Sequence, residues 1–249
     1  MPNVFVKIGW FDMAFAPLYP LLYRFLQPNF PDCLWAGDRE TPAIALTFDD
    51  GPHLSYTSAL LEVLDKHQVT ASFFMLGLCV QRSPHIAQQI YQQGHWLGLH
   101  GYDHRSFPGL SVEQLRQTLE RTQAELMAVC PLRPDQLRDV RPPNGFFTPK
   151  TLKLLQQWHY RPVMWSVVPE DWVQPGIDRV LHRIGHQVHN GAIIVLHDGV
   201  FGGQDVAETV DRLIPLLKAQ GYSFITIDQM WQASTLPSTL TTLKSHEII

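Results

Sequence analysis

Residues 43–52 read AIALTFDDGP, an apolar and β-branched run that ends in two aspartates, a glycine and a proline. The run Ala43–Phe48 has the length and composition of a buried strand. Gly51 and Pro52 predict that the chain turns immediately afterwards. The sequence therefore predicts a central strand whose carboxyl end carries Asp49 and Asp50.

The unit of a strand followed by a helix recurs along the chain. Further strands are predicted at Thr70–Leu76, Trp96–Leu99, a stretch ending at Arg141, Pro162–Val167, Ala192–Leu196 and Tyr222–Ile227. The segments between them carry helical stripes and start signals, including a capping box at Ser111 and Gln114 and a cap at Thr148 before Pro149. Most strands begin about 25 to 30 residues apart, the span of a βα repeat. About seven strands alternating with helices predict a parallel sheet covered by helices, either a closed barrel or an open doubly wound sheet.

Composition limits the class of protein. The chain has 249 residues, of which 45% are apolar and 17% charged, so it is not a disordered chain. Its 19 basic and 23 acidic residues give a formal net charge of −4, without a basic run, so a nucleic-acid partner is not expected. The three cysteines are widely spaced and predict neither a disulfide framework nor a cysteine zinc site.

The predicted organisation is one catalytic domain with two appendages. Residues 1–40 are expected to form an apolar apron packed on the domain, with contact to a membrane surface as the alternative. Residues 41–232 form the domain itself, and residues 233–249 read as a loose tail.

No transmembrane helix is predicted in the N-terminal segment. Its longest uncharged stretch, Met13–Tyr23, is shorter than the roughly 20 residues that span a bilayer, and Pro17 and Pro20 interrupt it. Asp12 argues against a signal peptide. These features predict a cytoplasmic protein or one peripheral to a membrane.

Chemically versatile side chains collect where the predicted strands end. They are Asp49, Asp50, His100, His104, Arg141, Asp171, Trp172, His197 and Asp198. Active sites of parallel α/β folds form at this edge. Two imidazoles and one carboxylate suit a zinc ion that keeps a position open for water, although cobalt or manganese would also fit. A second carboxylate can then act as general base, and a separate histidine can protonate a leaving group.

Asp49 and Asp50 are adjacent and cannot both point the same way from a strand. One can bind the metal while the other faces the water. Arg141 is expected to hold the base ionised through a charge-assisted pair.

At these residues the sequence resembles the polysaccharide deacetylases, also called the NodB-homology domain or carbohydrate esterase family 4. The matching motifs are TFDDGP (47–52), HGYDH (100–104), RPPNG (141–145), WSVVPEDW (165–172) and VLHDG (195–199). They occur in the family's order and cover most of the chain. The resemblance implies an α/β fold, a distorted (β/α) barrel with fewer than eight complete units.

The resemblance also implies roles. The implied metal ligands are Asp50, His100 and His104; the implied catalytic residues are Asp49 as general base, Arg141 orienting it, His197 as general acid and Asp171 keeping that histidine protonated. The backbone N–H at Asn144 would bind the substrate oxygen. The implied reaction releases acetate from an N-acetylated amino-sugar polymer or oligomer, of chitooligosaccharide or peptidoglycan type. That substrate class suggests the cell envelope.

The chain departs from the family pattern at several positions. Gly101 replaces a Ser or Thr that braces the histidine loop, which is expected to loosen the metal site. Asn144 replaces an aromatic residue, Val168 an Asp, and Val195 the Leu of the acetate-methyl pocket. Trp172 and Tyr102 are expected to stack on sugar rings.

Two alternative functions remain beside this one. The same site could hydrolyse O-acetyl esters on a polysaccharide such as xylan, or the chain could be a catalytically dead carbohydrate-binding protein. A rival metal site at His182, His186 and His189 is interpreted as a solvated helix face, because no carboxylate or thiolate joins it.

Overall fold

Strand β1 (Ala43–Asp49) is the centre of the sheet, and all seven of its residues are buried. A computed structural model describes residues 19–235. Its strands are parallel and lie in the order β5–β4–β3–β2–β1–β6, with β7 beside the start of β1. The remaining strands are β2 (Ser72–Met75), β3 (Trp96–Leu99), β4 (Asp139–Val140), β5 (Arg161–Pro162), β6 (Ile193–His197) and β7 (Ser223–Phe224). The sheet curls into a half-barrel, in agreement with the distorted (β/α) barrel that the family resemblance implies.

Helices connect these strands. They are α1 (Tyr19–Asn29), α2 (Tyr56–Lys66), α3 (Gly77–Arg82), α4 (Pro84–Gln92), α5 (Val112–Val129), α6 (Pro149–Gln157), α7 (Ile177–Gln187), α8 (Val206–Ala219) and α9 (Ile227–Thr235). The Ser111–Gln114 capping box and the Thr148 cap before Pro149 are both present, as predicted. The short helix α3 was not predicted from the sequence. Within the described part of the chain, every helix is too short or too polar to cross a bilayer.

The two faces of β1 contact different parts of the protein. Ile44, Leu46 and Phe48 pack in the main core beneath the helices. The alternate residues Thr47 and Asp49 face the inside of the barrel, where both accept hydrogen bonds from Arg141. The pairing register sets Asp49 opposite His197 on β6, so polar groups from neighbouring strands meet at one edge.

The predicted fifth strand is interrupted. Only Arg161–Pro162 pairs with β4, because the backbone partners then change. Met164 N donates to the Leu34 carbonyl at 2.8 Å, and Val167 pairs with Ile194 of β6. The segment thus passes from one edge of the sheet towards the other instead of forming one continuous ladder.

The predicted seventh strand is also too long. Strand β7 ends at Phe224, and Ile227 begins α9. Thr226 and Gln229 exchange side-chain and backbone hydrogen bonds in a capping-box pattern that ends the extended chain. The TIDQ sequence at 226–229 carried that signal.

The segment before β1 packs on the barrel. Tyr23, Leu26 and Phe30 lie against a small cluster built on Trp35 and Met164. The expected apron at 1–40 and tail at 233–249 include residues 1–18 and 236–249, which lie outside the described residues.

Candidate active site

Asp50, His100 and His104 come together at the carboxyl edge of the sheet. Asp50 Oδ1 lies 3.3 Å from His100 Nε2 and 3.2 Å from His104 Nε2. One ligand atom from each residue fits within a 4.8 Å spread, and this is the single group of three such residues among residues 19–235. Asp50 and His104 both have left-handed backbone conformations, with φ of 74° and 61°, which turn their side chains towards each other.

The hydrogen bonding of this triad fits a bound cation. His100 Nδ1 lies 2.8 Å from the Arg141 carbonyl, which can only accept, so Nδ1 carries a hydrogen and Nε2 is the ring nitrogen that can bind a metal. Asp50 Oδ1 and His100 Nε2 are buried without a hydrogen-bond partner. Unpaired buried polar atoms are costly, and a divalent cation between them would satisfy both.

The surroundings of Asp50 and His104 favour the protonation states that bind metal. Burial alone would raise the pKa of Asp50, but His104 and His100 hold that pKa well below its usual range. Burial lowers the pKa of His104, against the opposing effect of Asp50. An ionised carboxylate and neutral imidazoles are the forms that coordinate divalent metals.

Asp49 is held beside the triad by a buried arginine. Arg141 is fully buried and donates from Nη1 to Asp49 Oδ1 at 2.7 Å and to Thr47 Oγ1 at 2.8 Å. Its Nη2 donates to the Met164 carbonyl at 2.9 Å. These contacts fix the Asp49 carboxylate, whose other oxygen lies 4.0 Å from His100 Nε2.

His197 and Asp171 form a second polar pair. His197 Nδ1 lies 2.9 Å from Asp171 Oδ1, and the His197 backbone N–H donates to Asp171 Oδ2 at 2.7 Å. Burial would lower the pKa of His197, but the charge and hydrogen bond of Asp171 outweigh it and raise that pKa to about 9. Trp172 packs edge-on against the His197 ring at 5.2 Å. The imidazole is therefore held in place and protonated near neutral pH.

The predicted substrate-binding residues differ in how far they are buried. Val195 is buried and shares the inward face of β6 with His197, two residues away. Asn144 is exposed with a left-handed backbone (φ 58°), and its side chain lies 3.4 Å from Ser106 Oγ. Trp172 lies half-buried at His197, as described above.

Tyr102 is not brought to the site. Only 7% of it is exposed, and its ring lies 3.7 Å from the Arg121 guanidinium on α5. Its hydroxyl lies 3.4 Å from Gln81 of α3. Because the ring face is already covered, the prediction that Tyr102 stacks on a sugar does not hold in this structure.

The loop that carries the two histidines is supported by a hydroxyl even though residue 101 is glycine. The Thr118 hydroxyl on α5 accepts a hydrogen bond from the Tyr102 backbone N–H at 2.8 Å. Gly101 has φ of 79°, a conformation that favours glycine. Thr118 thus supplies a hydroxyl from another element, a partner that local sequence did not reveal.

Asp198 supports the loop after β1. It is buried, accepts from Thr57 Oγ1 at 2.5 Å, and donates its backbone N–H to the Asp49 carbonyl at 3.1 Å. Burial is the main reason that its pKa rises to about 7. A Cβ on Gly51 would lie 2.2 Å from the Asp198 carboxylate, so this contact requires glycine. The VLHDG motif displayed Asp198, but the sequence alone assigned it no role.

The rival histidines lie elsewhere. His182 and His186 are exposed on α7 with their Nε2 atoms 3.0 Å apart. His189 Nδ1 lies 2.7 Å from the Asn190 carbonyl. The structure does not bring this group to the carboxyl edge of the sheet.

Comparison with known proteins agrees with this arrangement. The family model described as polysaccharide deacetylase matches residues 36–163. A peptidoglycan-N-acetylglucosamine deacetylase of Bacillus cereus is 32% identical over 217 residues, covering 84% of this chain and 97% of that protein. The structure of Bacillus subtilis PdaA, a family 4 carbohydrate esterase, superposes with a TM-score of 0.76 at 32% identity, covering 85% of this chain and 89% of that one.

A third similar structure is relevant to the alternative that the chain is catalytically inactive. A family 4 pseudoenzyme from Bacillus anthracis superposes with a TM-score of 0.73 at 28% identity, over 80% of this chain and 68% of that one. The fold alone therefore does not guarantee turnover. In this chain the predicted metal ligands lie together, and the pairs Arg141–Asp49 and Asp171–His197 are both formed. The chain belongs to the polysaccharide deacetylase family.

Proposed function

We propose that the natural substrate is an N-acetylglucosamine polymer of the cell envelope, of peptidoglycan type, or an oligomer derived from such a chain. The observation that carries this proposal is the placement of two separate polar pairs, Arg141–Asp49 and Asp171–His197, around one triad of metal-ligating atoms. The name of the Bacillus cereus relative supplies the polymer.

We propose zinc as the metal, with Asp50, His100 and His104 as its ligands. Mixed nitrogen and oxygen donors and a three-residue protein set are typical of catalytic zinc sites. When bound, the ion supplies positive charge that polarises the amide carbonyl and lowers the pKa of water.

In the proposed mechanism, Asp49 accepts the proton from the attacking water. Arg141 holds that carboxylate in place, because its Nη1 donates a charge-assisted hydrogen bond to Asp49 Oδ1. The Asn144 backbone N–H donates to the substrate oxygen as negative charge develops on it.

His197 then donates a proton to the departing amine. The geometry suits this step, because Asp171 occupies the Nδ1 side of the ring and leaves the Nε2–H to act as the acid. The products are acetate and a free amino sugar. Val195 and Trp172 lie beside His197 and are the proposed walls around the acetyl group and the sugar.

Residues 41–232 are proposed as the catalytic domain, and the cell envelope is the proposed place of action. Acetate release from N-acetylglucosamine oligomers, peptidoglycan and acetylated xylan, together with metal analysis, tests the proposal. Release from peptidoglycan and the oligomers is expected. If acetate is released from xylan alone, the protein is an O-acetyl esterase and not an N-deacetylase. If none of the three substrates releases acetate while zinc is bound, a carbohydrate-binding protein is favoured.

A further inference from the structure

Gln187, the last residue of α7, holds the backbone of the loop that leads to Asp171. Its side-chain oxygen accepts from the Val168 N–H at 3.0 Å, and its side-chain nitrogen donates to the Val168 carbonyl at 3.2 Å. One amide side chain therefore satisfies both backbone groups of a residue that is 8% exposed. The Gln187 amide thus binds the Val168 backbone with the same pair of hydrogen bonds that a neighbouring strand would provide.

Arg183, one turn earlier on the same face of α7, holds the next two residues. Its Nη1 donates to the Pro169 carbonyl at 2.8 Å and lies 2.5 Å from Glu170 Oε2. The Glu170 side chain is 5% exposed, and the residue has a left-handed backbone with φ of 62°. A non-glycine residue keeps that conformation only where its surroundings impose it.

The residues held by α7 directly precede those that contact His197. Asp171 follows Glu170, begins the 3-10 turn Asp171–Val173, and accepts two hydrogen bonds from His197. Trp172 packs on the same imidazole. A shift of the loop would therefore move both the carboxylate and the indole relative to the ring.

We propose that Arg183 and Gln187 are positioning residues of the deacetylase, which clamp residues 168–170 so that Asp171 and Trp172 meet His197 in the productive geometry. The inference rests on the roles proposed above for Asp171 and His197. Neither clamp residue is expected to touch substrate or metal. Their effect passes through the loop alone.

Three variants test the clamp. Gln187→Met keeps the length of the side chain and removes both hydrogen bonds. Arg183→Lys keeps a positive charge near Glu170, but the shorter side chain ends before the position of Nη1, the atom that contacts both the Pro169 carbonyl and Glu170. His186→Gln, on the exposed face of the same helix, is the matched control. We expect both clamp variants to lower kcat about tenfold, with KM and zinc content little changed, because small misplacements of catalytic groups have effects of that order or larger. The control should behave as the parent enzyme.

A double-mutant cycle separates positioning from a merely structural role. In the Asp171→Asn background, Gln187→Met should cost almost nothing further in kcat, since the group that the clamp positions is already impaired. An equal loss in both backgrounds, or an unchanged kcat in Gln187→Met and Arg183→Lys with only the melting temperature reduced, would overturn the clamp.

The same cycle distinguishes failure of the clamp from failure of the proposed mechanism. If Asp171→Asn alone keeps full kcat, the assignment of Asp171 and His197 is wrong, and the clamp has nothing to position. If Asp171→Asn lowers kcat strongly but Gln187→Met acts independently of it, the mechanism stands and the clamp is wrong.

Discussion

Arg141 Nη1 donates to Asp49 Oδ1 at 2.7 Å, and neither side chain is more than 3% exposed. The next residue along the chain, Asp50, points instead to His100 and His104. Two adjacent carboxylates of the same type thus lie in two different electrostatic settings. One is paired with the arginine guanidinium, and the other faces the Nε2 atoms of two imidazoles.

The two aspartates should therefore respond differently to the same substitution. Asp49→Asn is expected to lower kcat by at least about 100-fold, the scale of general-base catalysis, while the protein retains its zinc. Asp50→Asn is expected to lose the zinc as well. Acetate release and metal content, measured on both variants, check the division. Loss of zinc from Asp49→Asn would reverse the assignment.

Arg141→Lys should impair turnover without emptying the metal site. A lysine carries the charge but cannot reach Asp49, Thr47 and Met164 at once, as the guanidinium does. We expect kcat to fall roughly 10- to 100-fold, because the base loses its fixed orientation. Full activity in this variant would show that Asp49 needs no such support. Far-ultraviolet circular dichroism and zinc content control for misfolding.

The pH profile should carry the signature of the Asp171–His197 pair. The acid works in its protonated form, so activity falls as pH rises through its pKa, which Asp171 raises to about 9. Asp171→Asn removes the charge that raises this pKa. The alkaline limb of kcat/KM should consequently move to lower pH. If the alkaline limb does not move in Asp171→Asn, it reports the titration of a group other than His197.

Acid stability should depend on His95, which is buried outside the site. Its Nδ1 accepts from the Ala71 N–H at 3.2 Å, and its buried Nε2 has no partner among the described residues. Burial lowers its pKa from 6.5 to about 4. Between these values the unfolded chain binds the proton and the folded chain does not, so the free energy of unfolding falls as pH drops, by up to ~3 kcal/mol.

His95→Gln keeps an acceptor for Ala71 and removes the titration. Urea unfolding of the metal-free parent and variant, from pH 7 to pH 4, should show a shallower loss of stability in the variant. Parallel pH curves would mean that His95 is not responsible. Chelating the metal in both samples removes the pH dependence that metal binding would add, and the titration of the triad is common to both proteins.

Sequence predicted the parts of this molecule whose determinants are local. Apolar runs located β1, β3 and β6 within a residue or two, and residues at the ends of the strands converge because parallel strands share a carboxyl edge. The apolar run predicts too long a fifth strand, because its backbone pairing partners, Leu34 and Ile194, are distant in sequence. The apolar run also predicts too long a seventh strand, because the Thr226 cap starts a helix there.

The surroundings of individual side chains also depend on contacts between residues that are distant in sequence. Tyr102 was expected at the sugar because its motif lies at the site, yet Arg121 from α5 covers its ring. Thr118 and Gln187 act on loops 16 and 19 residues away, and no short motif encodes such contacts. Residue types and spacing indicated the chemistry, whereas the supporting contacts needed the fold.

The contact between Leu34 and Met164 has a consequence for how this enzyme could be divided or recombined. The Met164 N–H binds the Leu34 carbonyl, while the Met164 carbonyl receives Arg141, the partner of the catalytic carboxylate. Both residues lie just outside residues 36–163, the stretch that the family model matches. A chimera that exchanged the segment before residue 36 between relatives would alter the backbone that anchors Arg141 while keeping every catalytic side chain. The unit that must be transferred together therefore extends beyond the stretch that the family model matches.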